Sequence, residues 1–209
     1  MKRTILMLWV AVALASCSKN KMENTIAQGR ILAYGTNKPV AGARVILQYC
    51  AGSGSVLGGG LSCFNLDTVT TAADGKYKFD FVGNSTYLYQ FTVRAEGYAK
   101  PPYEYDINNL QQVNEKNVTL DPYSWIRLHV KNIRPFDSQD VIRLAGPWGG
   151  GSDIDLFYGT SIDTVTLRQV FGNRKVDLLK VVVKNSIQTI FRDTIYIAAH
   201  DTINYEILY

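Results

Sequence analysis

Short runs of β-branched and aromatic residues recur along the chain, and their spacing constrains the fold more than any other feature does. From Trp125 to Lys131, aliphatic residues occupy every second position, so one face of an extended strand is apolar. Gly, Asn, Asp and Pro separate these runs, as they do at the turns between strands. No window of about 12 residues has a convincing helical period. The sequence therefore predicts a fold that is nearly all β.

The strands predicted from this spacing fall into two groups, on either side of Asp121 and Pro122. Pro122 has no amide hydrogen to extend a sheet, which favours a boundary there. Strands are predicted before it near 26–34, 43–49, 67–71, 76–81, 87–95, 103–107 and 117–120. Strands are predicted after it near 125–131, 141–144, 154–158, 164–170, 176–183, 188–197 and 203–208. Two consecutive β-sandwich domains, residues 26–121 and 122–209, are the simplest interpretation.

Residues 1–16 have the organisation of a signal peptide. Lys2 and Arg3 form a basic start, an apolar run extends from Ile5 to Leu14, and small residues precede Cys17. A transmembrane anchor is the alternative, but crossing a bilayer takes about 20 apolar residues and this run is shorter. We therefore expect a cleaved export signal.

The end of this segment, Leu14-Ala15-Ser16-Cys17, resembles the lipobox of bacterial lipoproteins, in which the cysteine is acylated and becomes the first mature residue. The resemblance implies that Cys17 carries lipid and that residues 17–25 are a short tether, since several acyl chains hold a protein firmly to a membrane. The body is then expected at the cell envelope, on the outer membrane, facing either the periplasm or the surface. Ordinary cleavage and secretion is the alternative.

The charge of the mature chain limits the classes of molecule that we expect it to bind. Removing Lys2 and Arg3 from the 22 Lys and Arg residues leaves 20 basic side chains against 18 acidic ones, a net charge of +2. The longest basic cluster is the pair Arg174-Lys175. Because nucleic-acid binding requires clustered basic residues on one face, we expect no nucleic-acid partner.

Cys50 and Cys63 enclose the glycine-rich stretch CAGSGSVLGGGLSC, whose composition suggests a phosphate loop, a metal site or a disulfide-bonded loop. The glycine spacing matches neither nucleotide-binding fingerprint, and no lysine follows the last glycines. No histidine lies nearby to complete a metal site of about four ligands. Once Cys17 is lipidated these two cysteines remain, and an even pair outside the cytoplasm predicts a disulfide.

Four blocks follow one another in the first half: Gly29 to Leu32, Gly35 to Val45, Thr71 to Phe79, and Val93 to Tyr98. In this order they resemble the carboxypeptidase regulatory-like domain, a transthyretin-like β-sandwich, over residues 26–121. The resemblance implies an accessory module that packs, presents or binds and brings no catalytic residues. The whole plan resembles envelope lipoproteins of Bacteroidetes-type bacteria, which include fimbrial subunits.

Catalytic and metal chemistry are not predicted from the remaining polar residues. His129 and His200 are isolated in the sequence, and no Gly-x-Ser-x-Gly elbow supplies a nucleophile. Calcium sites need about six to eight oxygens, more than two short acidic pairs supply. These pairs are Asp137 with Asp140, and Asp153 with Asp155. We therefore expect no enzyme activity, no metal and no cofactor.

Aromatic residues on predicted loops are the candidate ligand contacts. Tyr103 and Tyr105 follow two prolines, and Trp148 lies between glycines. Exposed rings at such positions stack on sugar rings or on protein partners, whereas rings that fold back fill the core. The partner expected of exposed rings here is a glycan or another envelope protein.

Asp-Thr followed by an aliphatic residue occurs four times and resembles the O-glycosylation sequon of Bacteroidetes. The resemblance makes candidate sites of Thr68, Thr164, Thr194 and Thr202. A strand start is the alternative explanation, because Thr, Val and Ile all favour strands.

Together these patterns predict a non-enzymatic, lipid-anchored protein of the cell envelope that acts as a structural or binding module. One alternative is a carbohydrate-binding accessory lipoprotein of a nutrient-uptake system, in which the aromatic loops recognise a glycan. A further alternative is a fimbrial or adhesive subunit. In each case the lipid anchor provides the contact with the membrane.

Overall fold

The computed structural model describes residues 24–52, 60–148 and 154–209, which form β-strands joined by turns and loops. The prediction of an all-β fold is confirmed, and no helix in these ranges is long and apolar enough to cross a membrane. The strands of the first half are β1 Thr25–Ala33, β2 Arg44–Gly52, β3 Leu61–Thr70, β4 Lys76–Phe81, β5 Leu88–Arg94, β6 Tyr105–Ile107, β7 Val113–Glu115 and β8 Val118–Leu120. Those of the second half are β9 Tyr123–Lys131, β10 Val141–Ala145, β11 Ile154–Tyr158, β12 Asp163–Phe171, β13 Arg174–Lys184, β14 Ile187–Ile197 and β15 Thr202–Leu208.

The strands of the first half form two sheets that enclose one core. One sheet has the order β4-β1-β7, with β8 pairing to a later part of β1, and the other has the order β3-β2-β5-β6. Alternate side chains of a strand point to the same face, and Val45, Leu47, Phe91 and Val93 are accordingly at most 1% exposed. Burial of this apolar surface is the main stabilising contribution to the first half.

The strands of the second half form another pair of sheets around a separate core. Their orders are β12-β9-β15 and β11-β10-β13-β14. Ile126, Leu128 and Val130 of β9 are fully buried, as their alternation predicts. β9 pairs antiparallel with β12 and parallel with β15, so it is the central strand of its sheet.

Two features of the first half differ from the sequence prediction. β3 begins at Leu61, not near residue 67. Its backbone pairs with β2 over its whole length, but its side chains from Leu61 to Thr68 are exposed on both faces, so they show no alternation in the sequence. The sequence does not predict β7, which has three residues and one apolar side chain, Val113. Parallel pairing with β1 brings this short segment into the sheet.

The two halves are in contact through loops near Pro122. Arg174 forms an ion pair with Asp121, and its guanidinium lies 4.1 Å from the centre of the Tyr34 ring. His200 packs edge-on against Tyr98, with 5.0 Å between the ring centroids. These contacts join the second half to the first at points well separated in the chain.

Gly29 lies where β1 passes from its partner β7 to its partner β8. The amide of Lys116 donates to the carbonyl of Gln28 at 2.9 Å, and Tyr77 Oη donates to the Lys116 carbonyl at 2.8 Å. A Cβ on Gly29 would stand 1.9 Å from that Lys116 oxygen. A side chain at this position would therefore push the two backbones apart.

We expect Gly29→Ala to lower the free energy of unfolding by about 2 to 3 kcal/mol, the usual cost of forcing extra atoms into a packed site. Gly52→Ala is the matched control, because a Cβ on Gly52 would meet no atom within 4 Å. Urea unfolding measures both variants. Equal stability of the two variants would contradict the close approach at Gly29.

Candidate functional site

Trp148 is a core residue, so its ring lacks the exposure that a ligand contact requires, and the alternative of a ring folded into the core applies. Its side chain is 4% exposed and belongs to the core of the second half. The Trp148 amide donates to the Gly146 carbonyl at 2.8 Å, which turns the chain back at this point. A Cβ on Gly146 would lie 2.8 Å from the indole, so the neighbouring glycine makes room for the buried ring.

The two candidate tyrosines differ in exposure. Tyr103 is 63% exposed, whereas Tyr105 lies in β6 and stacks on Phe91 with 5.1 Å between ring centroids. Burial raises the pKa of the Tyr105 hydroxyl, as expected for a ring that packs on the core. Tyr103 meets Tyr105 edge-on at 5.6 Å. Tyr103 is therefore the accessible ring of the three candidates, and the set does not form one stacking surface.

Cys50 and Cys63 form the predicted disulfide. The two residues lie directly opposite each other in β2 and β3, with 4.0 Å between their Cα atoms. Cys50 is 2% exposed. Residues 53–59 of the glycine-rich stretch lie outside the described residues. Structural disulfides are typical of proteins that fold in oxidising compartments.

A groove of about 830 Å³ is lined by residues of β1, β4 and the segment 115–117, with one residue of β3, and we call it the basic groove. Four of its lining residues are cationic, and Glu115 is the one acidic residue among them. The lining residues are Gln28, Gly29, Arg30, Val69, Lys76, Tyr77, Lys78, Glu115, Lys116 and Asn117.

Two of the charges in the basic groove have local partners. Lys76 forms an ion pair with Asp74 at 2.9 Å, and this contact holds the pKa of the Asp74 carboxyl below its usual range. Gln28 Nε2 donates to Glu115 Oε1 at 3.0 Å. Burial raises the pKa of Tyr77 well above its ordinary value, so its hydroxyl remains a hydrogen-bond donor.

The basic groove is not apparent from the sequence. Arg30, Lys78 and Lys116 lie on three separate segments, and no two of them form a cluster in the sequence. The one sequence pattern that points to the groove is the alternation of β4, in which Lys76 and Lys78 lie on the face opposite the buried Tyr77 and Phe79. The pairing of β1 with β4 and β7 then brings the cations together.

His129 belongs to a charge cluster on the exposed face of β9. His129 Nε2 lies 2.7 Å from an Asp163 oxygen, and Lys131 Nζ donates to the other oxygen at 2.6 Å. Lys131 and His129 lower the pKa of Asp163, which in turn raises the pKa of Lys131. Glu206 lies 3.5 Å from His129 Nδ1. The cluster is an exposed ion-pair network without a hydroxyl or thiol nucleophile among these contacts.

The acidic residues considered for calcium have structural partners in the described part of the chain. Asp140 is buried and accepts hydrogen bonds from the Phe136 amide at 2.8 Å and from Asn132 Nδ2 at 2.9 Å. Asp155 accepts a hydrogen bond from Arg168 Nε at 2.7 Å. Within the described ranges, no group of three or more His, Cys, Asp or Glu side chains is arranged to hold a metal ion. Asp153 lies outside them.

The four candidate O-glycosylation threonines lie within strands: Thr68 in β3, Thr164 in β12, Thr194 in β14 and Thr202 in β15. Thr68, Thr194 and Thr202 are exposed, and Thr164 is half-buried. The Thr194 hydroxyl donates to Asp177 Oδ1 at 2.6 Å. Modification of these residues stays a prediction, as does lipidation of Cys17, which precedes the described residues.

The chain matches no family model and no curated protein. The resemblance to the carboxypeptidase regulatory-like domain therefore stays a prediction.

Distantly similar solved structures include the TIE protein of Bacillus anthracis, a streptococcal ancillary pilin and the major pilin subunit of Bacillus cereus. Their sequence identities to this chain are 8%, 13% and 9%, and their TM-scores are 0.39, 0.35 and 0.35. The matches cover 88%, 87% and 85% of this chain. They cover 34%, 62% and 69% of the other chains, so this chain spans about a third of the length of the first. At these scores the similarities assign neither a family nor a function.

We expect a reducing agent to lower the free energy of unfolding of the soluble form, residues 18–209, by about 3 kcal/mol. Breaking a cross-link between residues 13 positions apart restores that much chain entropy to the unfolded state. The measurement is urea unfolding with and without reductant. The double variant Cys50→Ala and Cys63→Ala is the control, and its midpoint should not respond to reductant. A wild-type midpoint that also fails to respond would contradict a stabilising bond.

Proposed function

We propose that this chain is a lipid-anchored, non-enzymatic module of a bacterial cell envelope. The observation that carries the proposal is the Cys50–Cys63 disulfide, which requires an oxidising compartment. The lipobox-like sequence ending at Cys17 supplies the route to that compartment and the anchor. In this proposal the described residues form the body that the lipid holds at the membrane.

The finer parts of the proposal rest on sequence resemblance. The four ordered blocks in the first half support a carboxypeptidase regulatory-like domain in a Bacteroidetes-type lipoprotein. The outer membrane is the proposed location. The glycan alternative based on aromatic loops is weakened, because Trp148 is buried and Tyr105 packs on Phe91.

Lipidation is tested by expressing the full chain in a bacterial host that is fed labelled palmitate. Wild-type protein should carry label and sediment with membranes, and its mature mass should correspond to a chain beginning at Cys17. The Cys17→Ala variant should lose both the label and the membrane association, because the acylated thiol is absent. The double variant Cys50→Ala and Cys63→Ala controls for general loss of thiols and should keep the label. Unlabelled wild-type protein in the soluble fraction would rule out the anchor.

A subunit of a surface assembly is the second candidate, and the four-stranded sheet of the second half favours it. Its two edge strands, β11 and β14, both carry exposed apolar side chains. Ile154, Leu156 and Tyr158 on β11, and Ile187, Ile190 and Tyr196 on β14, are 46 to 66% exposed. An edge strand offers unpaired backbone groups to another strand, and protecting charges are few on these two edges.

The directions of the strands suit head-to-tail pairing of copies of this chain. Each neighbouring pair in β11-β10-β13-β14 is antiparallel, so β11 and β14 also run in opposite directions. The β14 edge of one copy therefore meets the β11 edge of the next copy in the antiparallel sense used throughout the sheet. Such a contact joins two different edges, so repeating it from copy to copy builds either a ring or a fibre.

We expect the soluble form, residues 18–209, to form larger species as its concentration rises in sedimentation velocity experiments. The double variant Ile190→Lys and Tyr196→Lys should remain monomeric, because edge lysines block strand pairing. Val165→Lys with Leu167→Lys is the control, since these side chains are 55% and 50% exposed on β12 of the other sheet. Wild-type protein that stays monomeric at every concentration would remove this candidate while leaving the lipid anchor untouched.

A further inference from the structure

We propose that the basic groove binds a polysaccharide chain that carries carboxylate or sulfate groups. This inference goes beyond the proposed envelope location, since it assigns a site and a class of ligand. It rests on four observations: the unpaired charge in the groove, the placement of like charges on neighbouring strands, the fixed backbone beneath them and the absence of an accessible aromatic ring among the lining residues.

The cations of the basic groove outnumber the acidic groups that neutralise them. Lys76 pairs with Asp74, and Glu115 accepts a hydrogen bond from Gln28. Arg30, Lys78 and Lys116 are exposed and form no ion pair with any described residue. Three cationic side chains therefore remain available for charge-assisted hydrogen bonds to an anionic ligand.

The register of the sheet places like charges next to each other in this groove. Arg30 of β1 lies directly opposite Lys76 of β4. Like charges at opposite positions destabilise a sheet, whereas opposite charges stabilise it. The second half follows the favourable pattern, because Lys131 lies directly opposite Asp163 and donates to it at 2.6 Å. In the groove, Asp74 pairs with Lys76 and offsets part of the repulsion between Lys76 and Arg30, and a bound anion would offset more of it.

The backbone that carries these cations is held in place. The Arg30 amide donates to Asn117 Oδ1 at 2.9 Å, and the Lys116 carbonyl accepts a hydrogen bond from Tyr77 Oη at 2.8 Å. Gly29 allows the Lys116 backbone to approach β1 closely. A site with a fixed backbone loses less conformational entropy on binding a ligand than a site on a mobile backbone does.

The lining of the groove favours an acidic polysaccharide over a nucleic acid. Single-stranded nucleic acids are bound largely by stacking of bases on aromatic rings, and the aromatic residue of this groove, Tyr77, is 3% exposed. Gln28 Nε2 already donates to Glu115 and Asn117 Oδ1 already accepts from the Arg30 amide, so Gln28 Oε1 and Asn117 Nδ2 are the amide atoms offered to sugar hydroxyls. The volume of about 830 Å³ falls in the range of small-ligand sites, so the groove accommodates a short segment of a longer chain.

The test measures binding of the mature protein, purified in a neutral detergent, to polygalacturonate, dextran sulfate and neutral dextran. We expect at least one acidic polymer to bind, with affinity that falls as salt rises, and neutral dextran not to bind. The triple variant Arg30→Gln, Lys78→Gln and Lys116→Gln should lose at least about tenfold in affinity. Arg127→Gln with Arg143→Gln and Lys175→Gln is the matched control, since it removes three exposed cations elsewhere and should keep wild-type affinity.

Each outcome bears on the proposal. Binding of polygalacturonate alone assigns the carboxylate form of the ligand, and binding of dextran sulfate alone assigns the sulfate form. Failure of both polymers to bind, or an equal loss in the two triple variants, would overturn the proposal. Single-stranded DNA that binds as tightly as the polysaccharides through the same three residues would overturn it in favour of a nucleic-acid site.

A second measurement on unmodified protein guards against misfolding of the groove variant. Bound polysaccharide should protect Lys78 and Lys116 from acylation by an amine reagent, while Lys175 continues to react. Urea unfolding should also show that the groove variant is at least as stable as wild type, because the repulsion between like charges is reduced. Acylation of Lys78 and Lys116 at an undiminished rate would count against the site.

Discussion

Strand β1 pairs with three other strands, and the first half of the molecule depends on that pairing. β4 lies antiparallel to it on one side, and β7 and β8 lie parallel to it on the other. Because side chains alternate along the strand, β1 supplies Ile31 to the core and Arg30 to the basic groove. Gly29 lies between the β1 segment that pairs with β7 and the β1 segment that pairs with β8. The backbone around it therefore positions both the core side chains and the groove side chains of β1.

The disulfide stabilises a part of the fold that hydrophobic burial does not cover. The side chains of β3 from Leu61 to Thr68 are exposed, so the pairing of β2 with β3 gains little from the core in that region. Backbone hydrogen bonds and the bond between Cys50 and Cys63 hold these strands together instead. The pairing of β2 with β3 is therefore expected to be most stable under oxidising conditions, in which structural disulfides form and persist.

Sequence reasoning succeeded where one face of a strand is buried. It placed β9 correctly because Ile126, Leu128 and Val130 alternate with polar residues and fill the second core. It missed β7 and the first half of β3, whose backbones are paired but whose side chains are mostly exposed. It left both an exposed and a folded-back Trp148 open, and Gly146 is the residue that lets the indole fold inward.

Local sequence patterns specify the all-β class, the cysteine pair and most strand positions, because each depends on the spacing of nearby residues or on a short motif. The tertiary structure alone decided that Trp148 is buried and that Arg30, Lys78 and Lys116 line one groove. Both outcomes depend on how strands far apart in the chain pair and pack. That register is set by long-range contacts between whole strands, which the spacing of residues within one strand does not specify.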